Sequence, residues 1–264
     1  RALCNLEYPY GINPVNLIRK RSVLSTIAYT LHKALPEEFP LDSCYFYSWE
    51  GHLTFSSRWK AAQRLYPILK NHRGPITLIT HSHGANVALY LAKCAQLDGN
   101  ENFTIDRLIV LAPPVQEATK QYAYSPVFKE IYNFYSTADF MQVADMQKAY
   151  TESYKEAPPG TFIPLFSERT YAPAPHIRQV RMLIDGQSIS HLHFLLTRFI
   201  KHLPLLLTLA QNSGEYASTS HCSIVNIPRG NALPYHLVEG QLKNNYIPRS
   251  QYDRIRRLAP LKSN

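Results

Sequence analysis

The stretch from Ile76 to Ala92 constrains this chain more than any other part of it. A β-branched run, Ile76-Thr77-Leu78-Ile79-Thr80, stops at Ser82, which stands between His81 and His83; Gly84 and the apolar pattern of Val87 to Ala92 follow. A short apolar run, a small-residue break and then helical periodicity predict a strand, a sharp turn and a helix. A serine at such a turn is held out over the end of a sheet, where a base can reach it. Taken alone, Ser82 serves equally well as a plain helix N-cap that accepts a hydrogen bond from a first-turn amide.

The residues downstream separate those two roles. Arg107 to Leu111 is a buried-strand pattern closed by Pro113 and Pro114. Ile131 to Ser136 is a second strand pattern, ending in Thr137-Ala138-Asp139. His176 to Ile184 is a third, leading through Asp185-Gly186 to Ser190-His191. An acid and a histidine thus follow successive strands after the serine. In a parallel sheet the carboxyl ends of the strands share one edge, so Ser82, Asp139 and His191 can converge there. Asp145 and Asp185 compete for the acid, but Asp-Gly is a turn signal in its own right and Asp145 falls in a helix-start pattern. His193 competes with His191 for the base and lies closer to the helix that starts near Phe194. His176 opens its strand and belongs at the opposite sheet edge.

Thr80-His81-Ser82-His83-Gly84 approximates G-x-S-x-G, and with the order Ser82, Asp139, His191 it resembles the α/β-hydrolase superfamily. A strand ending at Ser48-Trp49 precedes a helix over 54–70, with Phe55, Trp59, Ala62, Leu65, Ile68 and Leu69 as its apolar stripe. That arrangement is similar to the lipase-like and serine-esterase branches, and the resemblance spans residues 43–205. It implies a mostly parallel sheet with helices on both faces, and a triad in which Ser82 is nucleophile, His191 general base and Asp139 its orienting acid. It also implies that the backbone amide of His83 donates to the oxyanion. The second oxyanion donor has no clear source; Tyr10-Gly11 and Asn13-Pro14 are the nearest candidates. The expected reaction is hydrolysis of a carboxylic ester, lipid-like in character, with no cofactor.

Two other readings use the same residues. Thr80-His81-Ser82-His83 is similar to the first half of the H-x-H-x-D-H motif of metal-dependent hydrolases, and His191 and His193 form a second H-x-H pair. Ala85 and Asn86 stand where that motif needs its acid and third histidine. The other alternative is a non-catalytic descendant of the hydrolase fold that acts as a binding or scaffold protein.

With 264 residues and 45% hydrophobic content, the chain predicts one domain over 1–212, with a lid or wall insertion at about 112–175. Tyr154, Phe162, Ile163, Leu165, Phe166 and Tyr171 would line such a wall against an acyl group, or pack the insertion onto the sheet. Residues 213–264 read as an extension packed on the domain or partly mobile. The apolar stretch 192–210 is interrupted by Arg198, Lys201, His202 and Pro204, which argues for a buried helix rather than a membrane span. The formal charge is +9, with basic clusters at Arg19-Lys20-Arg21 and Arg254 to Arg257. These lack the aromatic interleaving of a nucleic-acid module and suit either a solvated surface or contact with an anionic membrane. Four scattered cysteines without C-x-x-C spacing leave the redox compartment open. The chain opens on Arg1 rather than Met, so an upstream segment is expected to precede it.

Overall fold

The computed structural model describes residues 10–17, 22–144, 166–212, 222–228, 234–238 and 241–242. Its centre is a sheet in which β3 (Thr77–His81), β4 (Arg107–Leu111), β5 (Ile131–Tyr135), β6 (Ile177–Ile184) and β8 (Cys222–Ile227) lie side by side and parallel. β9 (Tyr235–Val238) and β10 (Gln241–Leu242) continue it antiparallel, and β7 (Gln187–Ser188) turns back along β6.

The two-residue period of a strand sends alternate side chains to opposite faces, and β4 shows the result. Leu108 and Val110 enter one core with α2 (Phe55–Lys70) and α3 (Gly84–Asp98). Ile109 and Leu111 enter a second core with α1 (Val23–Ala34) and α6 (Thr197–Asn212). Each β4 residue from Leu108 to Leu111 is at most 1% exposed, as expected of a strand covered on both faces. The chain is therefore an α/β protein with a mostly parallel sheet flanked by helices.

Helix starts follow local chemistry. Thr54 caps α2 by accepting from the Ser57 amide at 3.2 Å, and Ser22 caps α1 by accepting from Ser25 at 3.1 Å. The expected apolar run near 192–210 is a 3₁₀ turn, His191–Leu195, followed by α6. Phe194, Phe199, Leu203 and Leu206 are wholly buried there. Among the described residues, no helix is long and apolar enough to cross a membrane.

Two features differ from the sequence expectation. The strand before Ser48-Trp49, β2 (Tyr45–Ser48), pairs antiparallel with β1 (Gly11–Pro14) in a separate two-stranded sheet, leaving β3 at the edge of the main sheet among the described residues. Gly11 to Pro14, which lacks an apolar strand pattern, is strand because its backbone pairs with β2. The segment beyond residue 213, read as packed on the domain or partly mobile, contributes described strands to the main sheet. Val225 and Ile227 of β8 are wholly buried in the α1/α6 core.

Asp185 (φ 54°) and Gly186 (φ 75°) form the two-residue turn between β6 and β7, with Ile184 facing Gln187 across it. Left-handed backbone at both positions is the hairpin geometry that matches strand twist, and Asp-Gly supplies it. A Cβ on Gly186 would meet nothing within 4 Å, so a substitution there costs conformational energy alone. Gly186→Ala is expected to cost about 1 kcal/mol, read as a lower urea midpoint at unchanged slope; an unmoved midpoint would exclude the left-handed turn.

Candidate active site

β3 delivers Ser82 to the carboxyl edge of the sheet in a strained conformation. Ser82 has φ 53°, a left-handed value uncommon for a residue with a Cβ, and its amide donates to the Leu111 carbonyl of β4 at 2.9 Å. α3 begins two residues later at Gly84 and crosses back over the strand. A Cβ on Gly84 would come within 3.4 Å of the Thr80 Cβ, so glycine at one of these positions is enough to let helix and strand approach. Thr80 in place of the first glycine of the motif is accommodated by Gly84.

Asp139 and His191 meet at the same edge. Asp139, wholly buried, follows β5 and caps α5 (Phe140–Val143), its Oδ1 accepting from the Gln142 amide at 3.1 Å. Its Oδ2 lies 2.8 Å from Nδ1 of His191. A carboxylate can only accept here, so Nδ1 carries the proton and Nε2 is left with the basic lone pair. Of the three residues named from the sequence, Asp139 and His191 are joined by a hydrogen bond, and Ser82 follows β3, two strands away from β5 in the same parallel sheet. A hydrogen bond from Ser82 Oγ to His191 is not among those of the described residues.

The competing residues occupy other roles. His193 Nδ1 bonds the Ser190 hydroxyl at 2.7 Å and the Ser190 amide at 3.2 Å, closing a capping box. His176 lies before β6 at the far sheet edge, 2.8 Å from the Ala123 carbonyl. Asp185 pairs with Arg198 at 3.2 Å. Asp145, Tyr154, Phe162, Ile163 and Leu165 fall outside the described residues. Phe166 is exposed, whereas Tyr171 is buried in the α2/α3 core and packs rather than lining a wall.

The histidines flanking Ser82 are both held neutral. The His81 ring lies 4.5 Å from the His191 ring, centroid to centroid, and its Nε2 is 3.4 Å from the His191 carbonyl. Burial, with the neighbouring His191 imidazole, pushes the His81 pKa down to about 4. His83 Nδ1 accepts from the Arg58 guanidinium at 2.9 Å. Burial first, and then the Arg58 charge, holds His83 well below the ordinary imidazole range. The Arg58 guanidinium takes Nδ1 of His83, which leaves only Nε2 of that ring for any other partner. Among the described residues, no group of three or more potential metal ligands comes together.

Buried polar side chains knit the surrounding loops. Asn86 of α3 donates to the Pro114 carbonyl at 3.1 Å and accepts from Thr119 of α4 (Glu117–Lys120); Gln142 donates to the Pro113 carbonyl at 2.7 Å. Arg58, Asn86 and Gln142 escaped the sequence reading. For Arg58 a signal was present, because it sits four residues before Ala62 on the apolar stripe of α2.

Exposed apolar side chains neighbour these residues in the chain: Phe140 and Met141 directly follow Asp139, Leu192 directly follows His191, and Leu53 lies in the loop before α2; each is at least half exposed. No family model, curated protein or solved structure gave a match to the chain.

Proposed function

We propose that the chain is a serine hydrolase of the α/β-hydrolase type that cleaves carboxylic esters with an apolar acyl group. The observation that carries this reading is the buried Asp139–His191 bond, at 2.8 Å, on the same sheet edge as a serine held at φ 53°. In that reaction His191 Nε2 takes the Ser82 proton as Oγ bonds to the ester carbonyl carbon. The negative charge that develops on the carbonyl oxygen meets the His83 amide at the start of α3; one such donor contributes about 3 kcal/mol to the barrier reduction. Collapse of this intermediate breaks the bond to the alcohol, which leaves with the proton from His191. Water, deprotonated by the same imidazole, then releases the acid from Ser82. The exposed apolar rim of Phe140, Met141, Leu192 and Leu53 favours an acyl chain over a charged substrate.

A second reading, a binding protein that retains the fold, is favoured by one observation: the described residues include no Ser82–His191 hydrogen bond. Catalytic hydrogen bonds are often long before substrate binds, which weakens this argument. Intact-mass analysis after treatment with an alkyl fluorophosphonate decides between the two. The hydrolase reading expects one adduct on the wild type and none on Ser82→Ala. A folded wild type that takes no adduct overturns it in favour of the binding protein.

A further inference from the structure

We propose that Arg58 is a positioning residue of this hydrolase, whose buried guanidinium locks the oxyanion side of the nucleophile elbow; the proposal rests on the hydrolase reading above. It starts from a misplaced charge. Arg58 lies in the first turn of α2, on the face that also buries Ser57, Ala61, Ala62 and Leu65, and it is wholly buried. A guanidinium withdrawn from water is costly unless its donors are satisfied in good geometry. At a position where the helix stripe calls for an apolar side chain, that cost needs a reason.

The partners supply one. Nη1 donates to His83 Nδ1 at 2.9 Å and to the Gln116 amide oxygen, which is also wholly buried. Nη2 donates to the Leu53 carbonyl, and Nε donates to the Thr54 carbonyl at 3.2 Å. The Phe55 ring lies 4.5 Å from the guanidinium carbon. One side chain therefore joins the loop before α2, the loop after β4 and the residue immediately after the nucleophile. A planar fork of five donors can satisfy this set of acceptors, whereas a lysine ammonium cannot reach them all.

His83 gives the clamp its consequence. Its backbone amide is the oxyanion donor, and its ring is fixed through Nδ1 as a neutral acceptor with the proton on Nε2. A fixed ring limits the backbone freedom of the same residue, so the donor is held in place before charge develops. The permanent positive charge also lies one hydrogen bond behind that residue, in a water-poor site where it favours an oxyanion over a neutral ester carbonyl. Both effects act on the transition state, so they belong in kcat rather than KM.

The experiment measures kcat and KM on a short p-nitrophenyl ester, with fluorophosphonate labelling rates, for wild type, Arg58→Ala, Arg58→Lys, His83→Phe, His83→Asn and the Arg58→Ala/His83→Phe double variant. The proposal expects Arg58→Ala to lose about 10²-fold in kcat with KM nearly unchanged. Guanidinium chloride at tens of millimolar should restore about tenfold of that loss, and sodium chloride at equal ionic strength none. His83→Phe breaks the same bond from the other side, so it should match Arg58→Ala, and the double variant should lose no more than either. His83→Asn, which offers an amide oxygen near the lost nitrogen, should recover part of the His83→Phe loss, and Arg58→Lys should fall between wild type and Arg58→Ala. Should Arg58→Ala fail to fold, the His83 pair and Arg58→Lys carry the test. Unchanged kcat in folded Arg58→Ala or His83→Phe overturns the proposal, as do additive losses without rescue by guanidinium. A wild type that takes no phosphonate overturns the hydrolase reading itself, a result separate from any difference among the variants.

Discussion

Asp139→Asn is expected to lose about 10³- to 10⁴-fold in kcat/KM toward a simple ester and in phosphonate labelling rate, while remaining folded. The reason lies in the two oxygens of Asp139. Oδ1 accepts from the Gln142 amide at 3.1 Å and Oδ2 faces His191 Nδ1 at 2.8 Å. Asparagine keeps one acceptor and caps helices as well as aspartate does, so its oxygen stays on the Gln142 side. That leaves its NH₂ against His191. Two donors cannot share a bond, so the imidazole moves its proton from Nδ1 to Nε2 and no longer has a lone pair to offer Ser82. Flipping the amide would restore the tautomer, but it would then set a donor against the Gln142 N–H in a wholly buried site, a cost of about 1–3 kcal/mol. Steady-state kinetics and a circular-dichroism melt check both halves of the expectation. A folded variant within tenfold of wild type would remove Asp139 from the triad.

The positions of Asp139, of His191 and of the turn at Ser82 were legible in the sequence because each rests on short-range signals. Four strands of the main sheet, β3 to β6, and the turn at Asp185-Gly186 announce themselves as apolar runs bounded by breakers. Chain order then places Ser82, Asp139 and His191 at one edge. What was not legible depends on pairing between distant segments. Gly11 to Pro14 becomes strand only through β2, and β2 leaves the main sheet, neither of which local pattern encodes. For β8 the sequence offers only a weak strand signal at Ser223-Ile224-Val225 after a polar stretch, so its place beside β6 escapes a local reading. Arg58 shows the same limit: a charge on an apolar stripe is visible in sequence, but the identity of its partners at positions 53, 83 and 116 is not. Tyr171 could either face a substrate or pack, and only its burial in the α2/α3 core decides for packing.

Acid should destabilise the folded chain in two stages, the first set by histidines rather than carboxylates. Burial pushes His81 down to about 4, and burial with the charges of Arg198 and Lys201 does the same to His202. In the unfolded chain both return to about 6.5. Between those values the unfolded state binds protons that the folded state does not, so stability falls as pH drops from about 6.5 to about 4 and levels off below. Each histidine contributes on the order of 2–3 kcal/mol across that window, a large share of a net stability of about 5–15 kcal/mol. The second stage lies lower. Glu50, held down chiefly by its hydrogen bond from Arg64, and Asp98, by its hydrogen bond from Lys70, lose their favourable contribution only as pH falls below the ordinary carboxylate range. Urea denaturation of wild type, His81→Phe and His202→Leu at pH 7 and pH 4.5 separates the stages. Each variant should shrink the stability difference between the two pH values by about 2 kcal/mol, whatever its effect at pH 7 alone. A variant with the full wild-type difference would mean that its histidine takes up its proton in the folded state near the ordinary pH.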